Sequence, residues 1–297
     1  MQNISPIVML IVLGSIWGAH FSLIKFLSNS GLNYSSLALY LCLGNAIILG
    51  LICKARGEVQ NFSRSRFGYY IFCALFGYLF PLLLELNFVA RLGAGVLSLV
   101  ASTTPILTLA IALIVRSENF KFQKFIAVVI GFASVLPILL ADFASKETGG
   151  AIVFCLAFSI PLCYAIYHNF VSKYWPSDTN SWQAAFGEAI ACLLVVMPFY
   201  ALNMNVGTSS LNYKFFTLIV ALIIFSVLEI YLYFEIVRVS GAVFVSQASF
   251  LTVVTGVLWG MLLFDEKHSA ALWLSVLFLS LSIYLSAKNN DGTCTDG

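Results

Sequence analysis

Long apolar runs alternate with short polar breaks along the whole chain. Runs long enough to cross a hydrocarbon layer, about 17–25 residues, lie at 5–27, 34–53, 68–90, 95–115, 123–141, 150–172, 181–201, 213–237, 242–263 and 270–287. The pattern predicts an all-α membrane protein of ten transmembrane helices. The connectors are a few residues long, which leaves no room for a soluble domain, a nucleic-acid module or an extramembrane active site. The first run has no basic segment before it and no small-residue cleavage site, so it is expected to be a retained helix.

Composition agrees with the pattern. Hydrophobic residues make up 61% of 297 positions and charged ones 9%, against roughly 25% charged in a soluble domain, and the mean hydropathy is +0.97. The seven cysteines are irregularly spaced with no CxxC, which predicts neither a disulfide framework nor a metal site, and no cofactor motif is present. Basic residues set the orientation. With a cytoplasmic N-terminus, ten of the 15 Lys and Arg fall on the cytoplasmic side (Lys54, Arg56, Arg64, Arg66, Arg116, Lys121, Lys124, Lys173, Arg238, Lys288). Both termini are therefore expected inside, in the inner membrane of a bacterium.

Sliding the sequence on itself by 148 positions superimposes HFSLIK (20–25) on HNFVSK (168–173) without a gap. The same offset brings Val89 onto Val237, Gly93 onto Gly241, Ala94 onto Ala242, Ser98 onto Ser246, Thr104 onto Thr252 and Glu118 onto Glu266, and the apolar runs coincide. The chain reads as a duplication: 1–142, then 149–288, with 289–297 a short polar tail. Five helices per copy, an odd number, force the second copy to enter the membrane from the opposite side. Inverted repeats of this kind build many secondary transporters, with a central cavity where the halves meet.

SIWGAHFSLIK in the first run, TTPILTLAIALIVRSE in the fourth and SFLTVVTGVLWGMLLFDEK in the ninth resemble the EamA family of the drug/metabolite transporter superfamily. The resemblance implies two five-helix repeats and transport, often export, of amino acids and related metabolites. Two positions depart from the family pattern: Val253 stands opposite Pro105, and Ser117 precedes Glu118 where glycine is usual.

Ionisable groups within apolar spans are costly unless they meet a cavity or a partner, so each is a candidate. Glu229 lies nine residues before Arg238, about 14 Å at about 1.5 Å per residue, near mid-bilayer. A carboxylate there fits a proton or a substrate ammonium. Phe225, Ser226 and Tyr233 share its face by three- and four-residue spacing, and its mate by the offset is Pro81. His20 has Trp17 on its face, and His168 has Tyr164 and Pro161; each imidazole reads equally as a gate, a proton carrier or an interhelix contact. Glu85, with Tyr78 and Pro81 on its face, is expected near the interface. Glu188 reads equally as a structural hydrogen bond or a site. Lys25 and Lys173 are expected to anchor span ends at the headgroups. Glu235 is expected to pair with Arg238, and Glu118 and Glu266 to make loop contacts. Pro81, Pro105, Pro137, Pro161 and Pro198 fall within predicted spans, where each removes a backbone donor. Gly14 with Gly18 and Gly256 with Gly260 are spaced for close helix contact.

No Lys or Arg falls at the centre of a span, which disfavours phosphorylated sugars and nucleotide sugars as cargo. The expected partners are membrane lipid and a small zwitterionic or cationic substrate, moved by a monomer or weak dimer, with proton coupling through Glu229 or the histidines. Broad export of drugs or cationic amines is the alternative, and a receptor or scaffold the alternative of another class. HExxH, GxSxG and paired intramembrane Asp are missing from the sequence, which argues against an intramembrane enzyme.

Overall fold

The computed structural model describes residues 5–28, 34–58, 62–85, 88, 100–117, 121–143, 156–202, 213–264, 277–278, 281–282 and 284–285. Among these residues the chain is helical, with no strand. Helix α1 is Pro6–Ser28, α2 Tyr34–Ala55, α3 Arg64–Glu85, α4 Thr104–Ile114 and α5 Phe122–Phe143. They are followed by α6, Ser159–Lys173, α7, Ser181–Leu202, and α8, Tyr213–Ser240. Helix α9 comes in two segments, Ala242–Ser246 and Ala248–Phe264. That makes nine helices among the described residues, against the ten expected. In the last predicted run, 270–287, the six described residues are helical, and the Ser282 hydroxyl donates to the Ala127 carbonyl of α5 at 2.6 Å. The junction of the two expected repeats, the tail, Glu118 and Glu266 lie outside the described residues.

The chain is an integral membrane protein. Ser36–Ala55, Arg64–Glu85, Ser181–Pro198 and Ile219–Ser240 are each long and apolar enough to cross a bilayer, and Pro6–Ala19, Thr104–Ile114, Phe122–Ala133 and Ala242–Gly256 are shorter apolar helices. Leu51, Ile114, Phe216 and Leu262 stand exposed on the outside of the bundle, where lipid rather than water suits them.

Helix starts and breaks follow from local chemistry. Pro6 opens α1, where no backbone donor is needed. The Ser63 hydroxyl caps α3 by accepting from the Arg66 N–H. Within α3, Ala74–Leu79 widens into a π turn just before Pro81, the position where a proline ring would strike the carbonyl four residues back. Two of the prolines expected to break spans stand in the first turn of a new helix. Val100–Ala101 is helical, residues 102–103 turn, and Pro105 follows in α4; likewise 156–157 is helical, Phe158 turns, and Pro161 follows in α6. At the first break Thr103 and Thr104 donate to the carbonyls of Val100 and Ala101 at 2.6 and 2.7 Å. The second copy breaks too, at Gln247, although it lacks the matching proline. Gly241 enters α9 at φ 83°, a conformation that residues with a Cβ rarely adopt. Pro81, Pro137 and Pro198 lie inside α3, α5 and α7.

Several helix pairs recur at the 148-residue offset. α1 lies along α9 and α6 along α4; α3 packs on α7 and α8 on α2; α1 touches α8 and α6 touches α3; α2 and α7, mates of each other, lie side by side. Small residues let α1 and α9 approach. A Cβ on Gly14 would collide with Leu251, and one on Gly18 with the Thr255 hydroxyl and, at 2.6 Å, with the Gly256 nitrogen. Across the seam the Thr255 hydroxyl donates to the Gly14 carbonyl at 2.8 Å and the Trp259 indole to the Ser15 carbonyl at 3.1 Å. Gly18→Val therefore has to push apart backbone, a penalty of about 1–3 kcal/mol by analogy with overpacked cores. It is expected to lower the melting temperature of detergent-solubilised protein by several degrees. Gly68→Ala, where a Cβ would meet nothing within 4 Å, is expected to leave it unchanged.

Candidate functional site

Carboxylates from three helices turn inward. Glu229 stands at the middle of the Ile219–Ser240 span, and its Oε1 accepts the Trp17 indole N–H from α1 at 2.7 Å. One turn earlier on α8, the Ser226 hydroxyl accepts the Asn45 amide from α2 at 2.8 Å. The π turn of α3 delivers Tyr78 to the same place, where it hydrogen-bonds the Cys42 thiol and lies within electrostatic reach of Glu229. Tyr164 of α6 also feels Glu229 and donates its phenol O–H to Glu85 Oε1 at 3.2 Å. Trp17, Tyr78, Tyr164 and Glu229 are half-buried despite belonging to interior faces of their helices. Two carboxylates, an indole, two phenols and an amide thus come together around the middle of α8.

Toward the Arg238 end of α8 a second layer is packed shut. Glu188 of α7 is buried, and its Oε1 accepts the Tyr167 phenol at 2.8 Å. The Tyr167 ring stacks on Tyr233, with centroids 4.9 Å apart and planes 11° from parallel. The Tyr233 hydroxyl in turn meets His168 Nδ1 at 3.0 Å. Tyr69 of α3 stacks on Phe170 at 5.4 Å, and Phe72 on the same ring at 3.9 Å. A Cβ on Gly187 would run into the Tyr70 ring, so α3 and α7 touch beside Glu188.

The site residues predicted from the sequence thus fall into two groups. Glu229, Trp17, Ser226, Tyr78, Tyr164 and Glu85 gather around the middle of α8, whereas His168 and Tyr233 belong to the closed layer. His20 lies within α1 on the turn after Trp17, but its side chain is outside the described residues, as is that of Lys25. Glu85 accepts the Tyr164 phenol O–H. Phe225, expected beside Glu229, is exposed on the outside of α8. Glu235 pairs with Arg238 at 2.6 Å and also accepts from the Ser181 hydroxyl. Lys173 donates to the Val115 carbonyl at the end of α4 at 3.0 Å. Asn45, Cys42 and Tyr167 went unread in the sequence. Asn45 had a signal, being a lone amide in an apolar run, the same cue that singled out Glu229. Among the described residues, no group of three His, Cys, Asp or Glu could hold a metal.

Comparison with known proteins gives a family and a fold. Residues 4–140 match the model described as the EamA-like transporter family. A solved crystal structure, described only as that of a protein, is similar with a TM-score of 0.75 over 95% of this chain and 97% of the other, at 17% identity. That level of identity speaks for the fold alone. No curated protein matches the sequence.

Proposed function

Since residues 4–140 belong to the EamA-like transporter family, within the drug/metabolite transporter superfamily, we propose that the chain is a secondary transporter of amino acids or small amines, working by alternating access. The observation that carries the reading is the cluster around Glu229, which we take as the wall of a substrate chamber: a mid-span carboxylate held by the Trp17 indole among half-buried phenols. A substrate ammonium finds an acidic partner there, in a setting where charge pairs are stronger than in water, and aromatic faces that attract a cation. The acids at the centre and the lack of central Lys or Arg speak against anionic cargo.

Alternating access needs two halves that exchange conformations, and the helix pairing supports this, because α1–α9, α3–α7 and α1–α8 each have an offset mate in α6–α4, α8–α2 and α6–α3. The closed layer at Tyr167, Tyr233 and His168 lies at the α8 end carrying Arg238, the cytoplasmic side by the distribution of basic residues. The chamber then faces away from the cytoplasm, and both termini lie inside. The direction that suits the family is export.

Counterflow through proteoliposomes tests the reading. Vesicles loaded with unlabelled amino acids or tyramine are expected to take up the tritiated compounds, while vesicles loaded with glycerol phosphate exchange nothing. Exchange of glycerol phosphate without amino acids or amines would overturn the substrate class, and no exchange of any solute would favour a receptor or scaffold. Trp17→Phe keeps an aromatic wall but loses the N–H. A hydrogen bond to a charged group contributes about 1.5–3 kcal/mol, so apparent affinity in counterflow is expected to weaken by about tenfold or more.

A further inference from the structure

We propose that Glu188 is the binding site of a coupling proton, separate from the chamber in which Glu229 meets the substrate. The assignment rests on the transporter reading and adds a second ligand to it. In the present conformation the two carboxylates differ in setting: Glu229 is half-buried and its carboxylate is held by the Trp17 indole, whereas Glu188 is buried with its carboxylate on the Tyr167 phenol, behind the stacked Tyr167 and Tyr233 rings. A carrier that couples to protons must keep its proton site from being open to both sides at once, and Glu188, covered by the Tyr167–Tyr233 stack, meets this condition.

The surroundings of Glu188 suit a proton rather than a substrate. From α2 it is faced by Cys42, from α3 by Tyr69 and Cys73, from α6 by Tyr167, from its own helix by Cys192, and from α8 by Tyr233 and Glu229. His168 stands behind Tyr233, bonded to its hydroxyl. These partners are phenols, thiols and an acid, with no Lys or Arg among them. The packing around the carboxylate is tight: Tyr167 is in contact, the Tyr167 and Tyr233 rings are stacked, and α3 meets α7 at Gly187. A proton is the one cation that needs no space. Only an O–H bond changes: Glu188 takes a proton from water on one side when the layer parts, and yields it to water on the other.

The link to transport is the mutual repulsion of Glu188 and Glu229 across the α7–α8 contact. A substrate ammonium on Glu229 removes that repulsion and eases loss of the Glu188 proton. A proton on Glu188 conversely weakens the local field that attracts the ammonium. Binding of the two cations is then competitive in free energy although they occupy different residues, and linkage makes the effect reciprocal. Competition of this kind gives exchange of substrate against protons.

The test uses the full-length protein in liposomes, with a tritiated mixture of the common amino acids and tritiated tyramine as probes. Wild type is expected to accumulate probe under an imposed pH gradient. Glu188→Gln is expected to lose at least about tenfold of that accumulation while counterflow at equal pH falls by no more than about threefold, a split that simple misfolding does not produce. Glu188→Asp should restore part of the accumulation, and Tyr167→Phe should move the pH at which it is half-maximal. Infrared difference spectra of the solubilised protein, taken on titration from acid to alkaline pH, provide a readout that needs no substrate: a carboxyl band present in wild type and missing in Glu188→Gln. Accumulation by Glu188→Gln equal to wild type, accumulation in wild type that ignores the pH gradient, or an unchanged carboxyl band overturns the assignment. Failure of counterflow in wild type with the band intact overturns the transport reading and leaves proton exchange at Glu188 standing.

Discussion

Glu229→Gln is expected to cut amino-acid and amine counterflow by about 100-fold or more while leaving the melting temperature within a few degrees of wild type. The substitution keeps shape, and the Gln carbonyl oxygen can still accept the Trp17 indole N–H that now meets Glu229 Oε1 at 2.7 Å. What it removes is charge. Two unit charges about 4 Å apart at an effective dielectric constant of about 20 attract by about 4 kcal/mol. Part of this is offset by stripping water from the ammonium, and about 2.7 kcal/mol left over corresponds to about 100-fold. Glu229→Asp, with the charge drawn back by one methylene, should fall between the two. Normal counterflow by folded Glu229→Gln would mean that the ammonium sits elsewhere, with Glu85 and its Tyr164 partner the next place to look. Proton-driven accumulation should vanish in this variant too, but together with counterflow, which separates it from Glu188→Gln.

Much of this arrangement is legible in the sequence because lipid imposes a simple rule: a polar side chain in an apolar run must find a partner or a cavity. That rule points straight to Glu229, Glu188, Glu85 and the histidine of α6. It cannot say which acid faces open space and which is sealed, since that depends on rings from other helices. Tyr167 shows the difficulty. It is one of thirteen tyrosines, next to the more conspicuous His168, and its importance comes entirely from touching Glu188 and Tyr233. Phe225 shows the reverse: spacing of four puts it near the Glu229 stripe, yet it lies at the stripe's edge and turns to lipid. Helix breaks are legible where proline marks them, at Pro105 and Pro161. The break at Gln247 carries no such mark, since Val253 stands in the proline's place. The π turn that delivers Tyr78 was equally hidden, although Pro81 two residues beyond it was the physical cause in plain view.

Bridging Tyr69→Cys to Phe170→Cys is expected to stop transport altogether, and reduction of the bridge to restore it. The experiment needs a background in which the seven native cysteines are replaced and a short, cleavable methanethiosulfonate crosslinker. The Tyr69 and Phe170 rings are stacked at 5.4 Å, tying α3 to α6 just outside the Tyr167–Tyr233 pair. If this layer closes the cytoplasmic path, α3 and α6 must separate for the chamber to open on that side, and a covalent bridge forbids it. The same separation is what would open Glu188 to water. Crosslinking in general stiffens a protein, so the decisive comparison is a second bridge, Gly50→Cys to Phe186→Cys, between α2 and α7, where a Cβ on Gly50 would lie 2.9 Å from the Phe186 ring. Those two helices are mates of each other by the 148-residue offset, so exchanging the conformations of the halves returns their contact to itself. That bridge should leave more than half of the counterflow. Equal inhibition by both would mean that the halves do not exchange roles about the α2–α7 contact. Free exchange with the α3–α6 bridge in place would mean that the aromatic layer stays shut throughout transport and that the path runs elsewhere.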